Sequence, residues 1–351
     1  MALRVVVCFT GGVGSQVVRL LHDDPGFELV GVLVFHEEKA GRDAGEVVGI
    51  GNIGVTTTRN VDELVALRAD AMSWHSLTYE PATFAKFLRA GTSVYSSMGG
   101  WYLPGEAEYD ELKAAAEEGG STLLSGGNIP GLVSDVLPLF ISGYSSRVRM
   151  IRAWQSDYVP TYPSADQLQL GLGFGVPAEK SPELTAVDDQ WAWGIRQSAK
   201  LVAAGLGIPF DELRITDKQF AMATEDLHLA PSGLEIRAGT PAGVRWTFTA
   251  YSEGQPFFEL VNEQTAQLGL GDGWRSSEQE PNWRVQIEGT PTLVCTVHLP
   301  AADDGDLDHV AALNAARAVN CLPRIVAGPP GCCTVLDVPA PAATRIVSTR
   351  S

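Results

Sequence analysis

The sequence lacks long hydrophobic runs and any excess of basic residues. No uninterrupted apolar stretch among its 351 residues approaches the ~20 residues that a helix needs to cross a bilayer, so we expect no membrane partner. The first residues are typical of a strand and not of a secretion signal, which favours a cytoplasmic protein. With 42 acidic against 25 basic residues, the net charge of −17 repels phosphate backbones, and we expect no nucleic-acid partner.

Cysteine is also scarce. The five cysteines are odd in number and show no C-x-x-C spacing, so we expect neither a disulfide framework nor a metal site. Most of them lie in apolar runs, which is typical of buried thiols in a reducing compartment. Cys332 and Cys333 are adjacent, and neighbouring residues of a strand point to opposite faces, so they are not expected to act as a pair.

The stretch Leu3–Leu21 is typical of a buried strand, a glycine turn and the start of a helix. In such a turn a pyrophosphate approaches the backbone at a helix N-terminus, where side chains would block it. The G-x-G-x-x-G fingerprint would have its first glycine at Phe9, so one glycine is missing. A turn used only for packing is the alternative. The residues that we predict to bind a dinucleotide here are Thr10, Gly11, Gly12, Val13 and Gly14.

The charges after the second predicted strand bear on which dinucleotide binds. An acidic residue for the ribose 2′-hydroxyl of NAD is expected near Val34, and none occurs at that position. Instead, His36, Lys39 and Arg42 follow, which favours the 2′-phosphate of NADP. The acidic pair at 37–38 argues for NAD, and basic side chains that only face solvent are the alternative. We therefore predict NADP, with NAD as the second possibility.

Strands and helices alternate up to about residue 125, which is typical of a doubly wound parallel sheet in an α/β fold. His75 ends one predicted strand, at the sheet edge where ligands bind, so we predict a contact with the cofactor, with a packing role as the alternative. Two further loops reach the same edge. They contain Tyr102, Glu106, Glu108 and Asn128.

From about Arg147 the pattern changes to longer alternating segments, which indicates a mixed or antiparallel sheet with helices at 189–204 and 210–213. The chain is long enough, with 45% hydrophobic residues, for two domains. We predict a Rossmann domain over 1–140, completed by 306–351, and an α+β substrate domain over 141–305.

Seven segments, in their order along the chain, resemble the dihydrodipicolinate-reductase-like family, which includes 2,4-diaminopentanoate dehydrogenase and native amine dehydrogenases. The resemblance covers nearly the whole chain. It implies a Rossmann domain closed by the C-terminal segment, a nicotinamide cofactor, and a second domain whose open sheet forms a homodimer. The segments are TGGVG (10–14), KAGRDAGE (39–46), SGGNIPG (125–131), SDYVPTYPS (156–164), GLGFG (171–175), GTPAGVRW (239–246) and AVNCLPRIVAGPPG (318–331).

The resemblance also implies an activity. The histidine pair and lysine motif with which dihydrodipicolinate reductase binds a dicarboxylate has no counterpart at 147–164. We therefore expect an amine dehydrogenase-like oxidoreductase that interconverts a ketone or aldehyde plus ammonia with an amine by hydride transfer. The alternatives are an NADPH-dependent imine reductase in a biosynthetic pathway and a catalytically silent nucleotide-binding protein.

The related amine dehydrogenases use a glutamate to move protons, and a carboxyl group in an apolar pocket suits that task. The candidate is Glu106, which Trp101 and Tyr102 flank. Family members carry acidic residues directly after the preceding strand, where this chain has the glycines 99–100. The alternatives are Glu108 and the absence of any catalytic carboxylate, since carboxylates before a helix also complement its dipole.

Two more groups of residues follow from the resemblance and from composition. The family has asparagine directly before proline, whereas Ile129 separates Asn128 from its proline here; we still predict that Asn128 contacts the cofactor. Aromatic side chains are candidates for an apolar substrate wall, with a place in the core as the alternative. They are Tyr102, Phe140, Trp154, Tyr158 and Tyr162, with Trp191 and Trp193 as further candidates.

Overall fold

A computed structural model describes residues 2–162, 164–177, 185–275, 282–299, 308–338 and 340–343. The chain divides into two compact units, one formed by Met1–Asn128 with Asp306–Ser351 and the other by Ile129–Gly305. The first unit ends twelve residues before the boundary that we predicted at 140, because the helix Leu137–Ser142 packs on the sheet of the second unit.

Strands and helices have the following bounds. The strands are β1 (Leu3–Cys8), β2 (Phe27–Leu33), β3 (Thr57–Thr58), β4 (Ala71–Trp74), β5 (Ser93–Ser96), β6 (Thr122–Ser125), β7 (Val148–Tyr158), β8 (Glu212–Met222), β9 (Leu227–Leu229), β10 (Leu234–Ile236), β11 (Pro241–Ser252), β12 (Gln255–Thr265), β13 (Asn282–Gly289), β14 (Leu293–His298) and β15 (Gly331–Cys333). The α-helices are α1 (Gly12–Asp23), α2 (Ala44–Val48), α3 (Val61–Ala66), α4 (Pro81–Arg89), α5 (Tyr109–Gly119), α6 (Leu137–Ser142), α7 (Thr185–Leu206) and α8 (His309–Val326). Short 3₁₀ and π-helical segments lie at Glu37–Lys39, Asn128–Val136 and Gln167–Gly171.

The first unit is built on a seven-stranded sheet in the order β15-β6-β5-β4-β1-β2-β3, in which every pair is parallel. Both faces of the sheet are covered, as parallel sheets require. Val5 and Val7 of β1 belong to a core with α1 and α8, whereas Val6 and Cys8 face a core with α4 and α5. The predicted α/β fold is confirmed, and the apolar strand Leu3–Cys8 lies inside this sheet, between β4 and β2.

The second unit contains a six-stranded mixed sheet in the order β14-β13-β7-β12-β11-β8, together with the hairpin β9–β10. The pair β7–β12 is parallel, and the other pairs are antiparallel. One face is apolar and buried, with Trp283, Val285 and Ile287 on β13. Side chains alternate along a strand, so Arg284 and Glu288 lie on the opposite, polar face.

One predicted helix of the second unit is wrong. Residues 210–213 were expected to be helical, but the strand β8 begins at Glu212 and pairs along its length with β11. Pairing with a strand that is distant in sequence overrides a short local helix pattern. Among the described residues, none of the helices has both the length and the apolar character that crossing a membrane requires.

Candidate functional site

The turn between β1 and α1 has the geometry that a dinucleotide phosphate needs. A Cβ added at Gly14 would lie 2.0 Å from the Phe9 carbonyl oxygen, so only glycine fits at this contact between helix and strand. A Cβ added at Gly11 would meet nothing within 4 Å, so the backbone is open there. No side chain caps the N-terminus of α1, so its first N–H groups are available to an anion.

Phe9 occupies the position of the missing glycine and adopts a conformation that suits glycine. Its φ angle is +73°, in the left-handed region. Its ring packs edge-to-face on Trp74, with the ring centroids 4.9 Å apart. The left-handed region costs a non-glycine residue about 1–2 kcal/mol, and the aromatic contact offsets part of this cost. The turn therefore keeps its shape without its first glycine.

Lys39 reaches back to the glycine turn from the loop after β2. Its Nζ lies 3.3 Å from the Thr10 Oγ1 and can donate a hydrogen bond to it. The Thr57 hydroxyl lies within hydrogen-bond distance of the backbone carbonyls of Lys39 and Arg42, which anchors this loop on β3. Lys39 is half-buried, whereas the side chains of His36 and Arg42 are exposed. A basic group therefore stands beside the predicted phosphate turn.

The acidic residues of the same loop have other partners. The Glu38 Oε1 lies 3.7 Å from the His36 Nδ1, and the Glu37 Oε2 lies 4.0 Å from the Arg59 Nη1. Across the residues that the structure describes, Lys39 has no carboxylate within 4.0 Å. Its ammonium group is consequently available to a ligand, because the exposed carboxylates at 37–38 do not form an ion pair with it.

His75 stands at the carboxyl end of β4, beside the glycine turn. Its Cβ would lie 3.6 Å from a Cβ added at Gly14. The ring is partly buried between two hydroxyls, with Nε2 2.8 Å from the Ser73 Oγ and Nδ1 2.9 Å from the Ser97 Oγ. Burial lowers the pKa of His75 to about 3, so the ring is neutral. The predicted cofactor contact stays a prediction; the geometry gives His75 two partners within the protein.

Asn128 lies at the end of the first unit and faces α8. The Asn314 Nδ2 lies 3.4 Å from the Asn128 Oδ1 and also donates to the Val310 carbonyl at 2.8 Å. The Asn128 side chain is half-buried, and its amide nitrogen has no hydrogen bond to the described protein atoms. It therefore retains a donor for a ligand such as a carboxamide or a ribose.

The loop after β5 turns at two glycines that Tyr79 covers. Gly99 and Gly100 have φ angles of +76° and +77°. A Cβ added at Gly99 would lie 2.3 Å from the Cδ2 of Tyr79, so the aromatic ring fills the space that a side chain at this position would need. The carboxylate that the family pattern has directly after this strand therefore has no counterpart here, and a carboxylate at this edge must come from further along the loop.

Glu106 and Glu108 are the carboxylates of that loop. Glu106 is half-buried, its N–H donates to the Leu103 carbonyl at 2.8 Å, and the neighbouring Trp101 is buried. Glu108 precedes α5 without capping it. The first turn of α5 contains Asp110 and another acidic residue, so the helix dipole has acidic partners besides Glu106 and Glu108.

Two tyrosines flank these carboxylates. Burial, the charge of Glu108 and, more weakly, that of Glu106 raise the pKa of the Tyr79 hydroxyl above its ordinary value. Burial and the nearby Tyr109 and Asp337 raise the pKa of Tyr102 as well. The loop thus places acidic and phenolic groups together at the carboxyl edge of the first sheet, where ligands of parallel sheets bind.

The aromatic residues of the second unit that we predict for a substrate wall have different surroundings, and their role stays a prediction. Trp154 lies on the polar face of the mixed sheet, where the guanidinium carbons of Arg284 and Arg275 stand 5.1 and 5.8 Å from the centre of its ring system. Phe140 is 64% exposed and packs edge-to-face on Tyr144. The residues Tyr158 and Tyr162, at the end of β7 and just beyond it, are half-buried.

Sequence reasoning missed several polar groups. Tyr79 lies in no motif, Ser125 was noted only as the first residue of the SGGNIPG segment, and only the structure shows that their hydroxyls meet at Gly100. In the second unit, the buried face of the sheet carries a hydrogen-bonded row in which Asn262 donates to Gln155, and Asp157 accepts from Gln155 and from Trp283. Their sequence signal is polar residues at alternate positions of an otherwise apolar strand. Within the described ranges, no three histidine, cysteine or acidic side chains form a cluster suited to a metal ion.

Two family models match the chain. The 2,4-diaminopentanoate dehydrogenase C-terminal domain matches residues 132–350, which is more than half of the chain. The N-terminus of dihydrodipicolinate reductase matches residues 3–79, a range that contains the glycine turn and the Lys39 loop. The resemblance that the seven segments predicted is confirmed.

Individual relatives align along the whole chain. An amine dehydrogenase of Streptomyces virginiae is 29% identical over 354 residues, covering 96% of this chain and 96% of its own. A 2,4-diaminopentanoate dehydrogenase of Acetoanaerobium sticklandii is 24% identical, covering 97% and 94%. The solved structure of an amine dehydrogenase from Mycobacterium smegmatis superposes with a TM-score of 0.79 at 20% identity, covering 99% and 98%, and so shows the same fold.

Proposed function

We propose a function for this chain on the basis of its family. The chain belongs to the family of the 2,4-diaminopentanoate dehydrogenase C-terminal domain. It is an NAD(P)-dependent oxidoreductase that acts on a C–N bond and interconverts a small amine with a ketone or aldehyde plus ammonia. The observation that carries this proposal is the similarity of the whole chain to an amine dehydrogenase, at 29% identity over 96% of both chains.

The glycine turn fits a dinucleotide. The backbone at Gly11 is open, α1 has no side-chain cap, and Gly14 allows the helix to approach the strand closely. Phosphate oxygens would accept from the N–H groups of residues 11–14, beside the Thr10 hydroxyl. The Lys39 ammonium, which lies 3.3 Å from the Thr10 Oγ1, would serve the 2′-phosphate of NADP. When bound, the nicotinamide supplies or accepts the hydride.

The loop after β2 supports NADP as the preferred form. Lys39 is half-buried with its ammonium free of described carboxylates, and Arg42 is exposed on the same anchored loop. A 2′-phosphate offers such groups a doubly charged acceptor, whereas the ribose hydroxyl of NAD prefers a carboxylate. We expect Lys39→Met to weaken NADPH binding by about ten- to a hundredfold while NADH binding changes much less, since one charge-assisted hydrogen bond contributes about 1.5–3 kcal/mol.

The reaction needs proton transfer besides the hydride. A ketone or aldehyde, ammonia, NAD(P)H and one proton give the amine, NAD(P)⁺ and water. Ammonia must reach the carbonyl carbon as the neutral base, and the hydroxyl of the carbinolamine must leave with a proton. Glu106 is our candidate for both tasks, because it is half-buried and lies in the loop that follows β5, at the carboxyl edge of the sheet.

A second candidate function is the reduction of preformed imines. The observation that favours it is the Gly99–Gly100 turn, whose space Tyr79 fills in place of a carboxylate, because reduction of an imine requires no activation of ammonia at that position. The requirement for ammonia separates the two functions. An imine reductase would reduce a cyclic imine without ammonium and would leave ketones unchanged at any ammonium concentration.

The proposal is tested with Glu106→Gln and the matched variant Glu108→Gln, using NADPH and a panel of ketones and aldehydes with ammonium. We expect ammonium-dependent oxidation of NADPH by the wild type, and a loss of about a hundredfold or more in kcat for Glu106→Gln, as removal of a general acid–base group produces. Glu108→Gln should retain kcat to within about a factor of five. Absence of ammonium-dependent oxidation across the panel would contradict the amine dehydrogenase assignment.

We also propose that the chain forms a homodimer through the polar face of the mixed sheet and acts in a reducing compartment. Arg152 bridges Glu259 and Glu288 on this face, and the tryptophan at 154 lies beside them between two arginines, a composition enriched at interfaces. The five cysteines are free thiols, which supports the cytoplasm.

A further inference from the structure

Two hydroxyl groups converge above Gly100, at the carboxyl edge of the first sheet. A Cβ added at Gly100 would lie 3.1 Å from the Ser125 Oγ and 3.7 Å from the Tyr79 Oη. Ser125 ends β6, and Gly100 follows β5, the neighbouring strand. Because residue 100 has no Cβ, hydroxyls of two different segments face one position at this edge of the sheet without a side chain between them.

The Ser125 hydroxyl needs a partner. The residue is 7% exposed, and its oxygen is inaccessible to solvent. Among the residues that the structure describes, none forms a hydrogen bond with this oxygen. A buried hydroxyl without a hydrogen bond is costly, so such a group indicates a bound water or a polar ligand atom.

The adjacent serine provides a contrast. Ser96 ends β5 and is also buried, but its hydroxyl donates to the Met98 carbonyl at 2.7 Å and accepts from the Met98 N–H at 3.0 Å. Two serines thus lie at the ends of neighbouring strands, one satisfied by its own loop and one by no described protein atom. The difference lies in the hydrogen bonding and not in the degree of burial.

The charges around this position select the kind of ligand. Burial raises the pKa of the Tyr79 hydroxyl most, and the charge of Glu108, a hydrogen bond to Glu108 and, more weakly, the charge of Glu106 raise it further, so the phenol keeps its proton. A carboxylate attracts the phenolic proton toward itself, which leaves the lone pairs of the oxygen as acceptors. Acceptor lone pairs at this hydroxyl favour a ligand that donates hydrogen bonds over a ligand that only accepts them.

We propose that Ser125 and Tyr79 hold one small hydrogen-bond donor above Gly100, and that this donor is the ammonia consumed in amination, with water in its place otherwise. The identity of the ligand as ammonia rests on the proposed function, whereas the existence of a polar site does not. Ammonia and water each have a single heavy atom, and a ligand this small suits two hydroxyl oxygens that are both enclosed by protein.

The kinetic test compares Ser125→Ala and Tyr79→Phe with Ser96→Ala, the matched buried serine. Tyr79→Phe removes the hydroxyl and keeps the ring that packs on Gly99. We expect the KM for ammonium to rise about fivefold or more in Ser125→Ala and Tyr79→Phe, as loss of one hydrogen bond produces, while the KM for the ketone and the Kd for NADPH stay within about a factor of two. Ser96→Ala should keep the KM for ammonium of the wild type. Equal ammonium KM values in Ser125→Ala, Tyr79→Phe and the wild type would overturn the proposal.

A second measurement does not depend on turnover. The thermal midpoint of each variant is compared in ammonium chloride and in sodium chloride at equal ionic strength and alkaline pH. We expect ammonium to stabilise the wild type and Ser96→Ala but not Ser125→Ala. This result supports the site even when no ketone is aminated, and in that case only the proposed function fails. Equal effects of ammonium on the wild type and Ser125→Ala overturn the site itself. A crystal structure of the wild type also tests the site. If no solvent peak lies within hydrogen-bond distance of both hydroxyls, the site is overturned.

Discussion

Phe9 replaces the glycine that opens the usual phosphate-binding fingerprint, and its backbone and its side chain have opposite effects on stability. The φ angle of +73° is unfavourable for phenylalanine, whereas the contact with Trp74, at 4.9 Å between ring centroids, is favourable. The backbone follows the course that a glycine would take. The two contributions can be separated by two substitutions at this position.

We predict that Phe9→Ala destabilises the fold more than Phe9→Gly does. Both variants lose the aromatic contact, but only glycine relieves the left-handed strain, so Phe9→Gly should unfold with a free energy about 1 kcal/mol higher than Phe9→Ala. At an ordinary helix or strand position the order is reversed. Urea unfolding of both variants measures the difference. A less stable Phe9→Gly would show that φ at residue 9 is not strained.

His75 is a neutral histidine between the hydroxyls of Ser73 and Ser97. Its folded pKa of about 3 lies below the ordinary value of 6.5. Between about pH 3 and pH 6.5, His75 is therefore protonated in the unfolded chain and neutral in the folded chain. Stability from this residue is fully present above pH 6.5 and is lost as the pH falls through the interval toward 3.

We predict that the stability advantage of the wild type over His75→Gln shrinks as the pH falls from 7 to 4. Glutamine keeps the capacity to bond both hydroxyls but has no proton to gain. The free energy of unfolding contributed by His75 should fall by up to about 1.4 kcal/mol per pH unit in this interval. Urea unfolding of both proteins at several pH values measures it. A constant difference between the two would mean that His75 titrates normally.

At the scale of single residues, the sequence predicts features of a turn between neighbouring elements, but not the position of a side chain within a sheet. The glycines at 11 and 14 follow from the turn after an apolar strand, and the geometry at both positions is as expected for a phosphate turn. The position of Trp154 on the polar face depends on its register with Val261 and Arg284 of neighbouring strands. Such pairing over a hundred residues of sequence is invisible in a local pattern.

Among the elements, the loop from 36 to 43 depends on one carboxylate. Asp43 caps α2, accepting from the N–H groups of Gly45 and Glu46, and also accepts from Ile53 and Gly54. Burial acts to raise the pKa of Asp43, but these four N–H donors hold it below its ordinary value. The carboxylate thus joins the loop to a distant segment of the same unit.

We predict that Asp43→Ala weakens NADPH binding about fivefold, although Asp43 touches none of the predicted phosphate contacts. The end of the loop would lose its bonds to residues 45–46 and 53–54, and the loop would have to become ordered on binding. The matched variant Glu46→Ala removes an exposed carboxylate of the same helix and should bind NADPH normally. Fluorescence of the eight tryptophans follows both titrations. Equal affinities of the two variants would contradict a role in pre-organisation.

Sequence patterns predicted most strands of the mixed sheet but missed one at its edge. Alternating apolar residues predicted the strands within β7, β11, β12, β13 and β14, because one face of this sheet is buried and the other is polar. The strand β8 at the sheet edge was missed, since most of its side chains are at least partly exposed and the apolar signal is weak. Its position is fixed by pairing with β11, a long-range interaction.

For the whole molecule, the homodimer that we propose would form through the polar face of the mixed sheet. We predict a mass of twice the chain's 37.4 kDa in light scattering at micromolar concentration. Thr247→Arg, in the middle of this face, should give a monomer because a buried unpaired charge disfavours association. Leu77→Asp, at an exposed site of the first unit, should stay dimeric. A monomeric wild type would contradict the predicted homodimer.

The ring of Tyr79 above Gly99 has a consequence for how members of the family differ from one another. A residue with a Cβ at position 99 and an aromatic ring at position 79 exclude each other, because the two would be 2.3 Å apart. Evolution can therefore exchange them only together, and the two positions should covary: relatives with a carboxylate at 99 should carry a small residue at 79. In this chain the double substitution Tyr79→Ala with Gly99→Glu should be tolerated better than Gly99→Glu alone.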